Sequence, residues 1–406
     1  MSASVRPGSS HVLLYEPRVE GHHPAWLRFI TEDLLSGGFE LTLAVDGRPT
    51  ARQVLEDSLG ELRAHVKLLN ALEADGRRRG GNTIRSVALC LGEAGAARAV
   101  LGEFDEIASR MFRRAAMGLW PPATLRGRVG GIYHRPRFMV APWWSPNRWL
   151  KEAGFRRLLA AGWLNPLLLL DEALLAGRRA EFPDAPLFYL PNPCPAPYPG
   201  ERTEACRQLG VPLDRTVFLF YGGGYRRKGL HLAVEAFLGL PRDQGAFLLC
   251  VGRQNPDPKT AAGIEELARQ QRALLINRYV SSAEEALSFV AGDVVLLPYL
   301  NHFGISAVLT QAVGARKPVI ASDEQLLGRE TREHGLGLLF PSGDVTALRE
   351  RIVEATRFSP EQQREYGLAA AAYARRHSRA AYRAALLEAM AAAVPAEGSG
   401  TRRVTR

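Results

Sequence analysis

The apolar positions of this chain fall into short runs separated by stripes at helical spacing. His11 to Tyr15 is an apolar run, a loop rich in proline, glycine and histidine follows, and Trp26, Phe29, Ile30, Leu34 and Leu35 then recur on one helical face. That order predicts strand, loop, helix. Gly37-Gly38 suits a helix stop, and Phe39 to Val45 predicts a second strand. Further strands are expected at Ser86 to Leu91, Leu167 to Leu170 and Leu187 to Leu190. Strands alternating with helices predict a parallel sheet with right-handed crossovers, and ligands of such sheets sit at the carboxyl ends of the strands.

Five prolines between Pro191 and Pro199 can continue neither a helix nor a central strand, so this stretch predicts a linker and hinge. Beyond it the alternation restarts. Strands are expected at Val217 to Tyr221, Phe247 to Val251, Val294 to Leu297 and Pro318 to Ala321. Helices are expected at Gly229 to Phe237, Ala283 to Val290, Ile305 to Gly314 and Val345 to Thr356. An alanine-rich tract from Pro360 to Met390 predicts a last helix, followed by a disordered basic tail.

Composition narrows this picture. A chain of 406 residues fits two domains of about 100–200 residues each, hence a cleft, and 46% apolar with 23% charged residues is a globular balance. No N-terminal stretch has the signal-peptide pattern, and no apolar run approaches the ~20 residues of a spanning helix, so a cytoplasmic protein is expected. Cys90, Cys194, Cys206 and Cys250 are scattered, which indicates neither a disulfide framework nor a zinc site; they read as buried apolar residues. The net charge of +10 implies attraction to something anionic. Arginines cluster in the N-terminal half, interleaved with Met111, Phe112, Leu119 and Trp120 and followed by Trp143, Trp144 and Trp149. Such a surface suits anionic lipid at the inner face of a membrane, or simply a solvated arginine-rich face. No nucleic-acid-binding motif accompanies the charge.

Two segments carry chemistry. Phe218 to Tyr221 runs into Gly222-Gly223-Gly224, Tyr225 and then Arg226-Arg227-Lys228 at a helix start. Consecutive glycines let backbone amides converge on an anion, and Lys228 with Arg227 would neutralise phosphate charge. The segment is neither a P-loop nor a dinucleotide fingerprint. In the second, Leu297 leads through Asn301, His302 and Phe303 to Gly304, Ile305 and Ser306 at the start of an apolar helix containing Gln311. Amides at that helix start could hold a diphosphate. No Asp-x-Asp pair for a divalent metal appears, so no metal and no resident cofactor are expected.

From about Val217 to Thr356 the chain resembles the large retaining glycosyltransferase family with the GT-B fold, the group 1 glycosyl transferases. The resemblance rests on Gly-x-x-x-Arg-Arg-Lys-Gly-Leu from 222, Leu249 to Arg253, Arg278 to Val280, Ala291 to Pro298, Lys317 to Ser322 and Gly337 to Asp344. It implies two Rossmann-like doubly wound parallel-sheet domains facing a cleft: residues 1–195 binding the acceptor, 196–375 binding a nucleotide-sugar, and 376–406 a helix packing back on the first domain plus the tail. It implies Lys228 on the donor diphosphate with Arg227 or Arg226, and Gly222, Gly223 and Gly224 cradling it. Arg253, Arg278, Tyr279 and Val280 would lie at base and ribose, Gly304, Ile305 and Ser306 at phosphate and sugar, and Gln311 at the ribose. The family's two glutamates in this loop and helix are replaced by Phe303 and Gln311, so either the sugar is held differently, by His302 or Asn301, or catalysis is less efficient. Gly223 stands where the family carries an arginine. In the N-terminal half, His22 and His23 in the first strand-end loop are catalytic candidates, and His134 with Arg135, in a loop expected over Gly130 to Pro136, are acceptor-binding candidates. The function implied is metal-independent transfer of a sugar, with retention, to a glycan, lipid-linked or small-molecule acceptor, in envelope or exopolysaccharide assembly. The alternative is a weak or silent protein of this fold that binds a nucleotide-sugar or a partner.

Overall fold

The computed structural model describes residues 11–20, 23–223, 226–304 and 306–392. His22, Gly224, Ile305 and the expected tail lie outside the described residues. The chain divides into two compact units: one runs to Leu190 and takes up the chain again from Arg383, the other is Pro191–Tyr382. The division falls just before the proline run rather than within it.

The first unit holds β1 (His11–Tyr15), β2 (Glu40–Val45), β3 (Val66–Asn70), β4 (Arg98–Leu101), β5 (Val129–Tyr133), β6 (Leu164–Leu169) and β7 (Leu187–Tyr189). All pair in parallel, in the order β3-β2-β1-β4-β5-β6-β7. The order reverses between β1 and β4, which makes their carboxyl ends the switch point where ligands of such sheets bind.

Two expectations are corrected here. Ser86 to Leu91 is not a strand but part of the helix Thr83–Ala94. Asn82 caps its start by accepting from the Arg85 amide, Gly95 ends it in the left-handed region, and Ile84, Val87 and Leu91 bury one face at helical spacing. Gly130-Gly131, expected in a loop, lie inside β5, where backbone passes too close for a side chain: a Cβ on Gly130 would meet the Pro166 carbonyl oxygen at 1.8 Å. Only His134-Arg135-Pro136 follow the strand as a loop.

The second unit holds β8 (Thr216–Tyr221), β9 (Ala246–Val251), β10 (Ala273–Ile276), β11 (Val294–Leu297), β12 (Val319–Ser322) and β13 (Gly337–Phe340). The order is β10-β9-β8-β11-β12-β13, again all parallel, with the switch between β8 and β11. Two apolar clusters cover the sheet's faces, one around Leu219, Leu249 and Leu297, the other around Phe218, Leu248 and Leu296. Successive residues along β8, β9 and β11 thus alternate between two buried faces, which is why these strands read as continuous apolar runs. The alanine-rich tract is two helices, Pro360–Arg376 and Arg379–Ala392, because His377 leaves helical geometry and Ser378 accepts from the Ala381 amide to cap the second. From Arg383 onward the second helix is itself part of the first unit, where the Met390 carbonyl accepts from buried Arg98. All four cysteines are free and buried.

Candidate functional site

The switch point of the second unit lies where β8 runs out at Tyr221 and β11 at Leu297. Gly222 takes φ 106°, and residues Arg226–Lys228 form a single 3₁₀ turn before the helix Leu230–Leu238. Gly229, at φ 75°, lets that turn press against the other loop: a Cβ there would lie 1.8 Å from the Pro298 carbonyl oxygen. The Leu300 amide in turn donates to the Arg227 carbonyl at 2.8 Å. The two loops singled out in the sequence are therefore one assembly.

Lys228 is its centre. Its Nζ donates to Tyr299 Oη at 2.6 Å and sits 4.3 Å above the Tyr299 ring. Buried Tyr299 also receives Ser306 Oγ at 3.3 Å, and Ser306 Oγ caps the helix Ala307–Gly314 by accepting from the Leu309 amide. The lysine is thus tied through one phenol to the start of that helix, whose amides and dipole favour an anion. Asn301 has φ 51°, turning its own amide and that of His302 onto Glu324, which accepts them at 2.9 and 2.6 Å and also takes Ser342 Oγ. Glu324, at the end of β12, steadies the loop that carries Phe303 and Gly304. Tyr299 and Glu324 were not singled out in the sequence, since a lone tyrosine and a lone glutamate in separate stretches give no signal.

The remaining donor-side candidates are spread around this centre. Arg226 is exposed and 3.7 Å from Asp257, and Arg278 pairs with Glu284, so both guanidinium charges are shared with carboxylates. Arg253 stacks over Tyr279 at 5.7 Å, and that ring is 79% exposed, an open aromatic platform at the end of β10. Val280 packs on the core, while Gln311 lies part-exposed on the helix Ala307–Gly314. Buried Gln254, also missed, donates Nε2 to the Gly222 carbonyl at 2.6 Å and braces the glycine loop.

At the switch point of the first unit, carboxylates and guanidiniums from the segments that follow four strands, β1, β3, β4 and β5, interlock. Glu16 accepts from Arg18, Arg18 reaches Glu103 and Glu106, Arg78 pairs with Glu106, and Arg135 pairs with Glu103. His23 Nδ1, at the start of the helix His23–Ser36, is 3.4 Å from Glu16 Oε2. Asp105 accepts the amides of His134 and Arg135, each at 2.9 Å, and His134 Nε2 lies 3.0 Å from the Gly102 carbonyl. His23, His134 and Arg135 are thus brought to one network. Burial opposes ionisation of Glu16 and Glu103, but His23 with Arg18, and Arg18 with Arg135, outweigh it and hold both carboxyls below their usual range. For Asp105 and Glu106 burial prevails and their values rise. The acidic half of this network escaped the sequence reading because Glu103, Asp105 and Glu106 follow β4, a strand too short to show a period, and Glu16 stands far from them in the chain.

Two doubly wound parallel sheets, each with a charged switch point, define the α/β GT-B fold, and solved structures share it. A glycosyltransferase from Rickettsia africae matches with a TM-score of 0.68 at 12% identity, covering 95% of this chain and 98% of that one. WaaG, a glycosyltransferase involved in lipopolysaccharide biosynthesis, matches with 0.64 at 15% identity, over 93% and 99% of the two chains. Residues 215–357 match the family model for glycosyl transferases group 1. The chain is 30% identical over 162 residues to a phosphatidyl-myo-inositol mannosyltransferase of Mycobacterium leprae, covering 38% of this chain and 41% of that protein. It is 31% identical over 182 residues to a D-inositol 3-phosphate glycosyltransferase of Corynebacterium urealyticum, again 41% of the relative's length, against 43% of this chain. The chain therefore spans about two-fifths of the curated relatives it matches.

Proposed function

We propose that this chain transfers a hexose, with retention, from a nucleotide-sugar to an acceptor hydroxyl. The observation that carries the reading is Lys228, held by Tyr299 between the Gly222 loop and the capped helix start at Ser306, inside the stretch that matches the family model. As the bond from anomeric carbon to diphosphate breaks, negative charge collects on the leaving oxygens. A lysine already fixed there stabilises that charge with no reorganisation at the moment of reaction, and Arg226 and Arg227 on the same turn add to the field. The exposed Tyr279 ring beside Arg253 suits a stacked base.

The acceptor is assigned to the switch point of the first unit. Its arginines are already matched by Glu16, Glu103 and Glu106, which suits an acceptor met through hydroxyls, as in a glycan or a lipid-linked glycan. Incubation with a panel of nucleotide-sugars, with and without lipid-linked acceptors, should release nucleoside diphosphate, and Lys228→Ala should abolish the release. Phe303 and Gln311 favour a second reading, a protein that binds nucleotide-sugar without turnover. Tight binding with no release under every condition would establish that reading and overturn the first.

A further inference from the structure

Exposure sorts the aromatic residues of the first unit. Met111 and Phe112 are core residues, and Trp163 is buried under Trp120, which stacks on it at 5.7 Å. By contrast Trp143, Trp144 and Trp149 are 68%, 67% and 58% exposed and fall within seven consecutive residues. A tryptophan normally hides most of its ring, so three open ones in one turn of surface mark a place of contact.

The segment is also stiff. Pro142 and Pro146 bracket the loop, and Pro146 opens the helix Pro146–Ala160. Trp149 Nε1 donates to the Trp143 carbonyl, Arg148 donates to the Ala141 carbonyl, and Trp143 and Trp144 meet edge to face at 5.9 Å. The rings are therefore presented before any partner arrives, and little side-chain freedom is lost on docking.

Charge selects the partner. From Arg137 to Lys151 the sequence contains three cations, Arg137, Arg148 and Lys151, and no aspartate or glutamate. Arg113 and Arg137 lie close enough to Lys151 to act on its ammonium, and the neighbouring Glu152 is taken by Arg156 and Arg178. Amphipathic rings that favour an apolar–water boundary, beside Arg148 and Lys151 in a stretch of sequence without aspartate or glutamate, match a bilayer with anionic headgroups. Among the described residues no helix is long and apolar enough to cross a membrane, so contact by this segment is peripheral.

We infer that the segment 141–151 docks the first unit onto an anionic lipid surface, with Trp143, Trp144 and Trp149 entering the headgroup boundary and Arg113, Arg137, Arg148 and Lys151 against lipid phosphates. The inference stands independently of the proposed transfer, because docking needs neither donor nor acceptor.

The test is co-sedimentation of the full chain with phosphatidylglycerol–phosphatidylcholine vesicles, against phosphatidylcholine alone, at low and high salt. Binding should need the anionic lipid, weaken with salt, and fall about tenfold or more in Trp143→Ala/Trp144→Ala/Trp149→Ala. The charge variant Arg148→Glu/Lys151→Glu should lose binding while keeping its thermal unfolding midpoint, which separates docking from folding. Absence of vesicle binding in the wild type, or unchanged binding in the tryptophan variant, overturns the inference. So does a concentration-dependent dimer that the tryptophan variant abolishes, since the face would then join two copies, or retention on immobilised neutral glycan lost in that variant, since the rings would then stack on sugar.

Discussion

Replacing Tyr299 by phenylalanine removes one oxygen from the Lys228 assembly and nothing else. The ring stays beneath Lys228, so the 4.3 Å contact of ammonium over aromatic face is kept, as is the volume of a side chain only 1% exposed. What goes is the 2.6 Å bond from Lys228 Nζ and the weaker one from Ser306 Oγ. A hydrogen bond to a charged group contributes about 1.5–3 kcal/mol. When diphosphate is present, its oxygens replace the phenol as partner, and the net loss reduces to ordering the lysine, about 1.5–2 kcal/mol for a long flexible side chain. At about 1.4 kcal/mol per tenfold, the nucleoside diphosphate that binds best from a panel should bind roughly 10–30-fold more weakly. Without ligand, stability should drop by no more than about 1.5–3 kcal/mol, the worth of the lost lysine bond, since the helix cap is kept: Ser306 still accepts from the Leu309 amide. Calorimetric titration of wild type, Tyr299→Phe, Lys228→Ala and the double variant gives the coupling directly. The phenylalanine substitution should have no further effect once Lys228 is gone. Undiminished affinity in Tyr299→Phe, or an equal loss in the Lys228→Ala background, would show that the phenol does not act through the lysine.

Glu324→Gln offers one acceptor where the carboxylate takes two amides and a hydroxyl, and should cost about 1–3 kcal/mol in a denaturant titration while raising the donor's KM; unchanged KM would detach Glu324 from the sugar loop. Gly229→Ala places a methyl 1.8 Å from the Pro298 carbonyl at φ 75°, and scanning calorimetry should show a fall of several degrees in Tm from about 2–5 kcal/mol of strain. His377, buried and stacked 3.9 Å from Tyr373, is pushed down to about 4 by burial. Between its unfolded value near 6.5 and that figure the unfolded chain binds a proton the folded one does not, so up to about 3 kcal/mol of stability is lost as pH falls through that window. Urea midpoints for wild type and His377→Phe at pH 7 and pH 4.5 should differ in their pH dependence by that amount; parallel curves would place the titration elsewhere.

How much could be read in advance follows from how local each feature is. The strand, glycine loop and cation cluster were legible because they are contiguous from Phe218 to Gly229, and the helix start at Ser306 because its cap and helix adjoin. Strand β4 was not, because four residues of Arg98–Leu101 are too short for any period, and β5 was not, because its glycines imitate a turn. The apolar middle of the helix Thr83–Ala94 reads as a strand, because a short apolar run cannot distinguish the two.

Taken alone, the amino-acid order determined the two α/β halves and marked the Gly222–Lys228 and Gly304–Ser306 segments as candidates for an anion, since backbone flexibility and neighbouring charge are local properties. Tertiary structure determined which cations remain at work there. Arg226 and Arg278 are shared with Asp257 and Glu284, Lys228 is pinned by a tyrosine 71 residues on, and Arg18 and Arg135 are tied to carboxylates from other strand ends. Coulomb pairing and hydrogen bonding act over a few ångströms of space rather than of chain, so these assignments exist only once the sheets bring distant strand ends together.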